Sequence, residues 1–288
     1  MTSTVVLPEV PGLGGLFARG AALSVAHRVR PGASTLPEVQ YVVRGVTADP
    51  EHLTAYQHLL GESASDVLPA GFVHVLAFPV ATAVMARSDF PLPLVGLVHL
   101  ANRVTQLRPV RLGDAFDVHA SATDLRAHRS GTQVDLVTEV VLDGAVAWRG
   151  VSTYLARGVY LAGSADDAPA EFVAPTPTGR WTLAGDTGRR YAAVSGDRNP
   201  IHLSALSAKA FGFPRAIAHG MYTASRALAD VGAARGDAFD WSVEFVKPVL
   251  LPGTVTVRVA RAGDGFTFAG WNARSGKPHL TGLVTPLP

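Results

Sequence analysis

The chain repeats itself once, loosely, and that repetition limits the folds open to it. The stretch "RPVRLGDAFDVHA" from Arg108 aligns without a gap on "KPVLLPGTVTVRV" from Lys247. Phe116, Val118 and Ala120 then stand opposite Val255, Val257 and Val259, and this period of two reads as a half-buried strand in both copies. Upstream, "HVLAFPVATAVMA" from His74 aligns with "HGMYTASRALADV" from His219, each with the pattern of a helix. Further upstream, "LTAYQHLLGE" from Leu53 aligns with "GRRYAAVSGD" from Gly188, short helices ending at a Gly suited to the C-cap. The separation is 135 residues at Tyr56/Tyr191, 145 at His74/His219 and 139 at Pro109/Pro248. The second copy therefore carries extra residues before its long helix, and "RNPIHLS" is among them.

Each copy reads as a short helix, a long apolar helix and then strands joined by turns such as "LDGA" and "RSGK". A helix that is apolar nearly all round is buried most simply by wrapping an antiparallel sheet about it, and two such units can pair their sheets. The expected class is therefore α+β: two long helices, each wrapped by an antiparallel sheet, packed as an internal pseudo-dimer. A Gly-, Ala- and Pro-rich stretch across residues 158–180 lacks a strong period and suits a connection. The expected division is a first domain over residues 1–160, a linker over 161–178 and a second domain over 179–288. A chain of 288 residues suffices for two such cores.

Residues 68–86, "LPAGFVHVLAFPVATAVMA", imitate a membrane span. His74 and Pro79 interrupt them and no second span follows, so a helix buried in a protein core is the better reading. Twenty-five basic against 23 acidic side chains leave no footprint for nucleic acid or a membrane surface. The absence of cysteine removes disulfides, thiolate nucleophiles and sulfur-ligated metals. "MTSTVVLPEVPG" has no secretory pattern, so a cytoplasmic location is expected.

The chemistry concentrates in "SGDRNPIHLS", residues 195–204. Gly196, Asp197, Asn199 and Pro200 could be ordinary turn residues, but that reading leaves His202 and the second cluster "AHGM" unexplained. Pro200 excludes helix at Asn199 and fixes its own φ, so Asp197 and His202 can face a common point. Asn199 can brace the loop, and Ser204 can cap the following helix, which Gly212 ends. A carboxylate and an imidazole flanking one water can move two protons in a single step. Gly220 opens the helix "MYTASRALADV", where a free N–H and the helix dipole suit a carbonyl oxygen gathering negative charge. These parts suit proton abstraction or addition next to a carbonyl.

The residues of 191–221, "YAAVSGDRNPIHLSALSAKAFGFPRAIAHGM", resemble the hydratase-2 signature of the MaoC-like (R)-specific enoyl-CoA hydratases and dehydratases. The resemblance implies a double hot-dog fold in which only one half keeps the catalytic loop. It implies Asp197 and His202 as the dyad, with Asn199 as support and the Gly220 N–H polarising a thioester carbonyl; His219 and Ser195 would support the loop. The implied substrate is a trans-2-enoyl thioester of coenzyme A or acyl carrier protein, or its (R)-3-hydroxy partner, with no cofactor and no metal. The acid and base roles within the dyad stay open. Leu228 stands where some members carry a serine, and Ser204 where an acidic residue often follows. The first half, with Val75 aligned on Gly220, is expected to be inert and to shape the acyl tunnel. A hot-dog acyl thioesterase and a non-catalytic acyl-binding subunit are the alternatives, and pairing into a homodimer is left open.

"PGLGGLFARG", residues 11–20, lacks the spacing of a nucleotide loop and reads as a structural loop. His52, His58, His74 and His99 are not spaced as a metal site. Asp197, His202 and His219 could in principle meet an ion, but no metal is assigned. Lys247, Arg198 and Arg215 read as solvated surface charge.

Overall fold

The computed structural model describes residues 2–20, 34–161 and 171–288. Much of the linker stretch, residues 162–170, lies outside the described residues, and 171–177 form neither helix nor strand. The first half contributes strands β1 (Ser3–Leu7), β2 (Val39–Val46), β3 (Val98–Gln106), β4 (Phe116–His128), β5 (Gly131–Leu142) and β6 (Ala145–Arg157). The second contributes β7 (Gly179–Leu183), β8 (Phe239–Phe245), β9 (Gly253–Ala262), β10 (Gly265–Trp271) and β11 (Pro278–Pro286). Among the described residues these form one sheet in the order β1-β2-β4-β5-β6-β3-β8-β11-β10-β9-β7. The two halves meet where β3 pairs antiparallel with β8, from Ala101↔Glu244 to Gln106↔Phe239.

Each half wraps its strands about one helix, Ala70–Met85 in the first and Gly220–Val231 in the second. Helix Ala70–Met85 is buried nearly all round because its sequence offers no polar face, and it packs on β2, β4 and β5. At 16 residues it is a core helix; no helix among the described residues is long and apolar enough to cross a membrane. The alternation read in the sequence is seen in β4, where Phe116, Val118 and Ala120 are buried, and in β9, where Val255 and Val257 are.

The structure corrects the internal alignment at the central helices. Leu68 N–H donates to the Val110 carbonyl, and Ala218 N–H donates to the Val249 carbonyl, each at 2.8 Å. Leu112 N–H reaches Asp66 as Leu251 N–H reaches Ala216. His219 therefore corresponds to Pro69, and both are helix N-caps with nearly the same φ and ψ. The counterpart of Gly220 is Ala70 and not Val75, and the second half's insertion is correspondingly longer than the sequence suggested. Helical patterns in Ala- and Val-rich segments repeat every turn or so, which leaves their register ambiguous until backbone hydrogen bonds fix it.

A second correction concerns residues 11–20. Residues 13–20 are helical, not a loop, and Leu13 lies against Gly196 while Phe17 lines the cavity that Asp197 and His202 also face.

Candidate active site

The loop between the second half's helices is built from local caps. Helix Thr187–Ser195 ends at Gly196, whose φ of 70° is the left-handed conformation that glycine adopts freely. Ser195 Oγ accepts from the Asp197 N–H at 3.2 Å, and Asp197 Oδ1 accepts from the Asn199 N–H at 3.0 Å. Asn199 in turn caps the short helix Pro200–Leu203 by accepting from Ile201 N–H. Ser204 caps helix Ala205–Ala210 by accepting from Ser207 N–H at 3.1 Å. These bonds allow the backbone little freedom between Asp197 and His202.

The loop brings Asp197, His202 and His219 together. Their ligand-capable atoms lie within 4.8 Å of one another. The His202 and His219 rings stack at 3.6 Å between centroids with an interplanar angle of 25°. His202 Nδ1 bonds to the Ile217 carbonyl at 2.9 Å. A neutral ring that donates there leaves its Nε2 lone pair free. His219 Nε2 donates to the Asp197 carbonyl at 3.0 Å and lies 3.8 Å from the carboxylate. The in-plane lone pairs of two nearly parallel rings run side by side, an unfavourable donor set for a tetrahedral ion.

All three groups line a cavity of about 180 Å³, together with Asn199 and Gly220. Asp197 keeps 23% of its side chain exposed, and that part opens into the cavity. Burial pushes the Asp197 carboxyl above its usual range, against the opposing pull of His202 and the Asn199 N–H. Burial and the neighbouring His219 bring His202 down to about 3, while Asp197 and the Ile217 carbonyl oppose the change. His219 falls to about 4, again through burial. Both rings are therefore neutral at pH 7. Gly220 is the first residue of its helix, so its N–H has no acceptor within that helix. Phe245 lies beneath it, so close that a Cβ there would stand 3.0 Å from the ring.

Close packing also fixes the position of His202. A Cβ on Gly188 would stand 2.1 Å from the His202 carbonyl oxygen. Gly188→Ala is thus expected to push His202 out of place and lower kcat by about 10²-fold, the usual cost of a misplacement of roughly 1 Å. Steady-state kinetics beside a thermal melt would check this; an unchanged kcat would show that the loop absorbs the side chain elsewhere.

Sequence reasoning found the loop but missed the opposite wall. Tyr154, His99 and His74, all from the first half, line the same cavity, as does Phe17. Their sequence neighbourhoods carry no motif, and only the pairing of β3 with β6 brings His99 to Tyr154. In the first half Glu62 stands where the second has Asp197, each directly after the C-cap glycine of a short helix. There it is buried and pairs with Arg235 at 3.5 Å, across the junction between halves. The remaining charges, Lys247, Arg198 and Arg215, are exposed, with Lys247 also lining the cavity.

A pair of wrapped helices sharing one sheet, with an Asp–His loop facing a cavity, defines a double hot-dog protein with a candidate reaction centre in its second half. The profile of the MaoC like domain matches residues 169–281. The 3-hydroxyacyl-thioester dehydratase X of Mycobacterium tuberculosis is 39% identical over 268 residues, covering 92% of this chain and 96% of that protein. The chain belongs to the MaoC-like dehydratase family. The crystal structure of HtdX from Mycobacterium tuberculosis matches with a TM-score of 0.78 at 38% identity, over 86% of this chain and all of the other. A MaoC-like dehydratase from Phytophthora capsici shares the fold, with a TM-score of 0.69 at 19% identity over 86% of this chain and 95% of its own.

Proposed function

We propose that the chain catalyses the reversible hydration of trans-2-enoyl thioesters to (R)-3-hydroxyacyl thioesters, as a hydro-lyase of fatty-acid or polyketide-type metabolism. The observation that carries this reading is the convergence of Asp197 and His202 on one cavity beside the Gly220 N–H. Similarity to a 3-hydroxyacyl-thioester dehydratase over nearly the whole chain supports it. Residues 179–288 then form the catalytic half, residues 1–160 the half that has lost its loop, and residues 161–178 their connection.

In hydration, a water is held between the two side chains. His202 Nε2, left with its lone pair by the bond to Ile217, takes the water's proton as oxygen adds to C3. Asp197, whose burial favours the protonated carboxyl, delivers a proton to C2 on the same face. The Gly220 N–H stabilises negative charge on the thioester oxygen meanwhile, a contribution of about 3–4 kcal/mol for such a donor. Asn199, Ser195 and His219 hold the loop through the bonds described above. Dehydration runs the same steps backwards. The pantetheine arm would enter past Lys247, and coenzyme A and acyl carrier protein present the same arm.

Incubation with crotonyl-CoA is expected to bleach the conjugated enoyl absorbance without releasing thiol. Thiol release with the absorbance spared would instead identify a thioesterase, and binding without either change an acyl-binding subunit.

A further inference from the structure

The wall that the first half gives the cavity is largely apolar, and His74, His99 and Tyr154 are the polar side chains set into it. His99 and Tyr154 face each other across β3 and β6, their rings stacked at 4.5 Å. His74 continues the row at 6.4 Å from His99, and Phe78 follows at 5.9 Å from His74. The row starts at the reaction centre. Phe245, which underlies Gly220, lies 5.0 Å from His99, and the Asp197 charge adds to burial in raising the Tyr154 hydroxyl above its ordinary range. From there it leads away towards Phe78 along a side of the cavity.

Two features mark His99 as placed for a ligand. The register of β3 on β6 shifts between His99 and Ala101, the kind of bulge that re-aims a side chain beside a site. The Nε2 of His99 is buried and has no hydrogen-bond partner among the described residues. Burial lowers His99 to about 3 and His74 to about 4, so both rings are neutral at pH 7 and each offers one N–H and one lone pair. His74 is buried in a helix whose other core-facing residues are almost all apolar. A saturated chain lying along this wall would leave His99 Nε2 without a partner, and an unmet polar group is costly inside a protein.

We propose that the cavity selects acyl thioesters carrying a hydroxyl group on the chain beyond C3, held by a hydrogen bond to His99 Nε2 with His74 beside it. A hydroxyl both donates and accepts, so it pairs with Nε2 in either tautomer, which a methylene cannot. The inference rests on the acyl-thioester reading above and deepens it from reaction to substrate class.

The test is calorimetric. Octanoyl-CoA and a series of octanoyl-CoA molecules bearing one hydroxyl at successive carbons beyond C3 are titrated into the wild-type protein, His99→Phe, His74→Phe and His99→Gln. Wild type is expected to bind at least one hydroxylated member about tenfold more tightly than octanoyl-CoA, as one hydrogen bond to an otherwise unpaired buried group allows. His99→Phe is expected to abolish that preference, read as the ratio of the two affinities measured in the same variant. His99→Gln, which keeps an acceptor, retains part of it. No preference in wild type would overturn the proposal even if every variant failed to fold, and so would a preference that survives both Phe substitutions. Because binding is read without turnover, loss of the hydratase reading would be seen separately, as failure to consume crotonyl-CoA by a protein that still discriminates the hydroxyl.

Discussion

Asp197→Asn and His202→Ala are each expected to lower kcat/KM for enoyl-thioester hydration by about 10²–10⁴-fold, the contribution of a positioned acid or base. Asp197→Asn keeps the shape and can still accept from the Asn199 N–H, but it cannot deliver the proton to C2. His202→Ala empties a buried position, so His202→Gln is the companion variant and thermal melts separate chemistry from folding. The two losses should not add, since one water and one proton pathway involve both groups. The pH profile tests the assignment of roles. Burial raises the Asp197 carboxyl while His202 is brought down to about 3, so a proton taken up by the pair goes to Asp197. Hydration should therefore slow as pH rises through the raised pKa of Asp197, and Asp197→Asn should erase that limb. Retention of the limb in Asp197→Asn, or a loss below tenfold in both variants, would remove these residues from the chemistry.

Acid should unfold this protein early. His74 and His219 are held down to about 4, His99 and His202 to about 3, in each case mainly through burial. In the unfolded chain the same rings take up a proton near pH 6.5. Between those values the unfolded state binds more protons than the folded state, so stability falls as pH falls. Each ring costs about 2 kcal/mol at pH 5. Four of them rival the whole stability of an ordinary domain, about 5–15 kcal/mol. Asp197 and Glu62 act in the opposite direction, because burial raises both carboxyls and their protonation on acidification favours the fold. The net expectation is a steep loss of Tm between pH 6.5 and 5, measured by calorimetry at fixed ionic strength. Replacing His74 with Phe should flatten that loss. A Tm independent of pH across this window would mean that these rings are protonated, or open to water, in the folded state.

The class of fold was legible because alternation in β4 and β9 and the lack of a polar face on helix Ala70–Met85 are local patterns that each dictate one kind of burial. The Asp197–His202 loop was legible for a similar reason. Asn199, Pro200, Ser204 and Gly196 each set the backbone at their own position, so ten consecutive residues were enough to place a carboxylate and an imidazole on one side. The register of the two central helices was not legible. Nor was the helical state of residues 13–20, where three glycines argued for a loop and the packing of Leu13 and Phe17 against the site prevailed.

The amino-acid sequence by itself determined the repeated architecture and the half in which the Asp197–His202 loop sits, since both follow from interactions among residues close along the chain. Tertiary structure alone decided what faces that loop. His99, Tyr154 and His74 reach it only through strand pairing and helix packing, and Glu62 meets Arg235 only across the junction of the halves. Such contacts join residues far apart in the chain, and their energies depend on burial that no local pattern records.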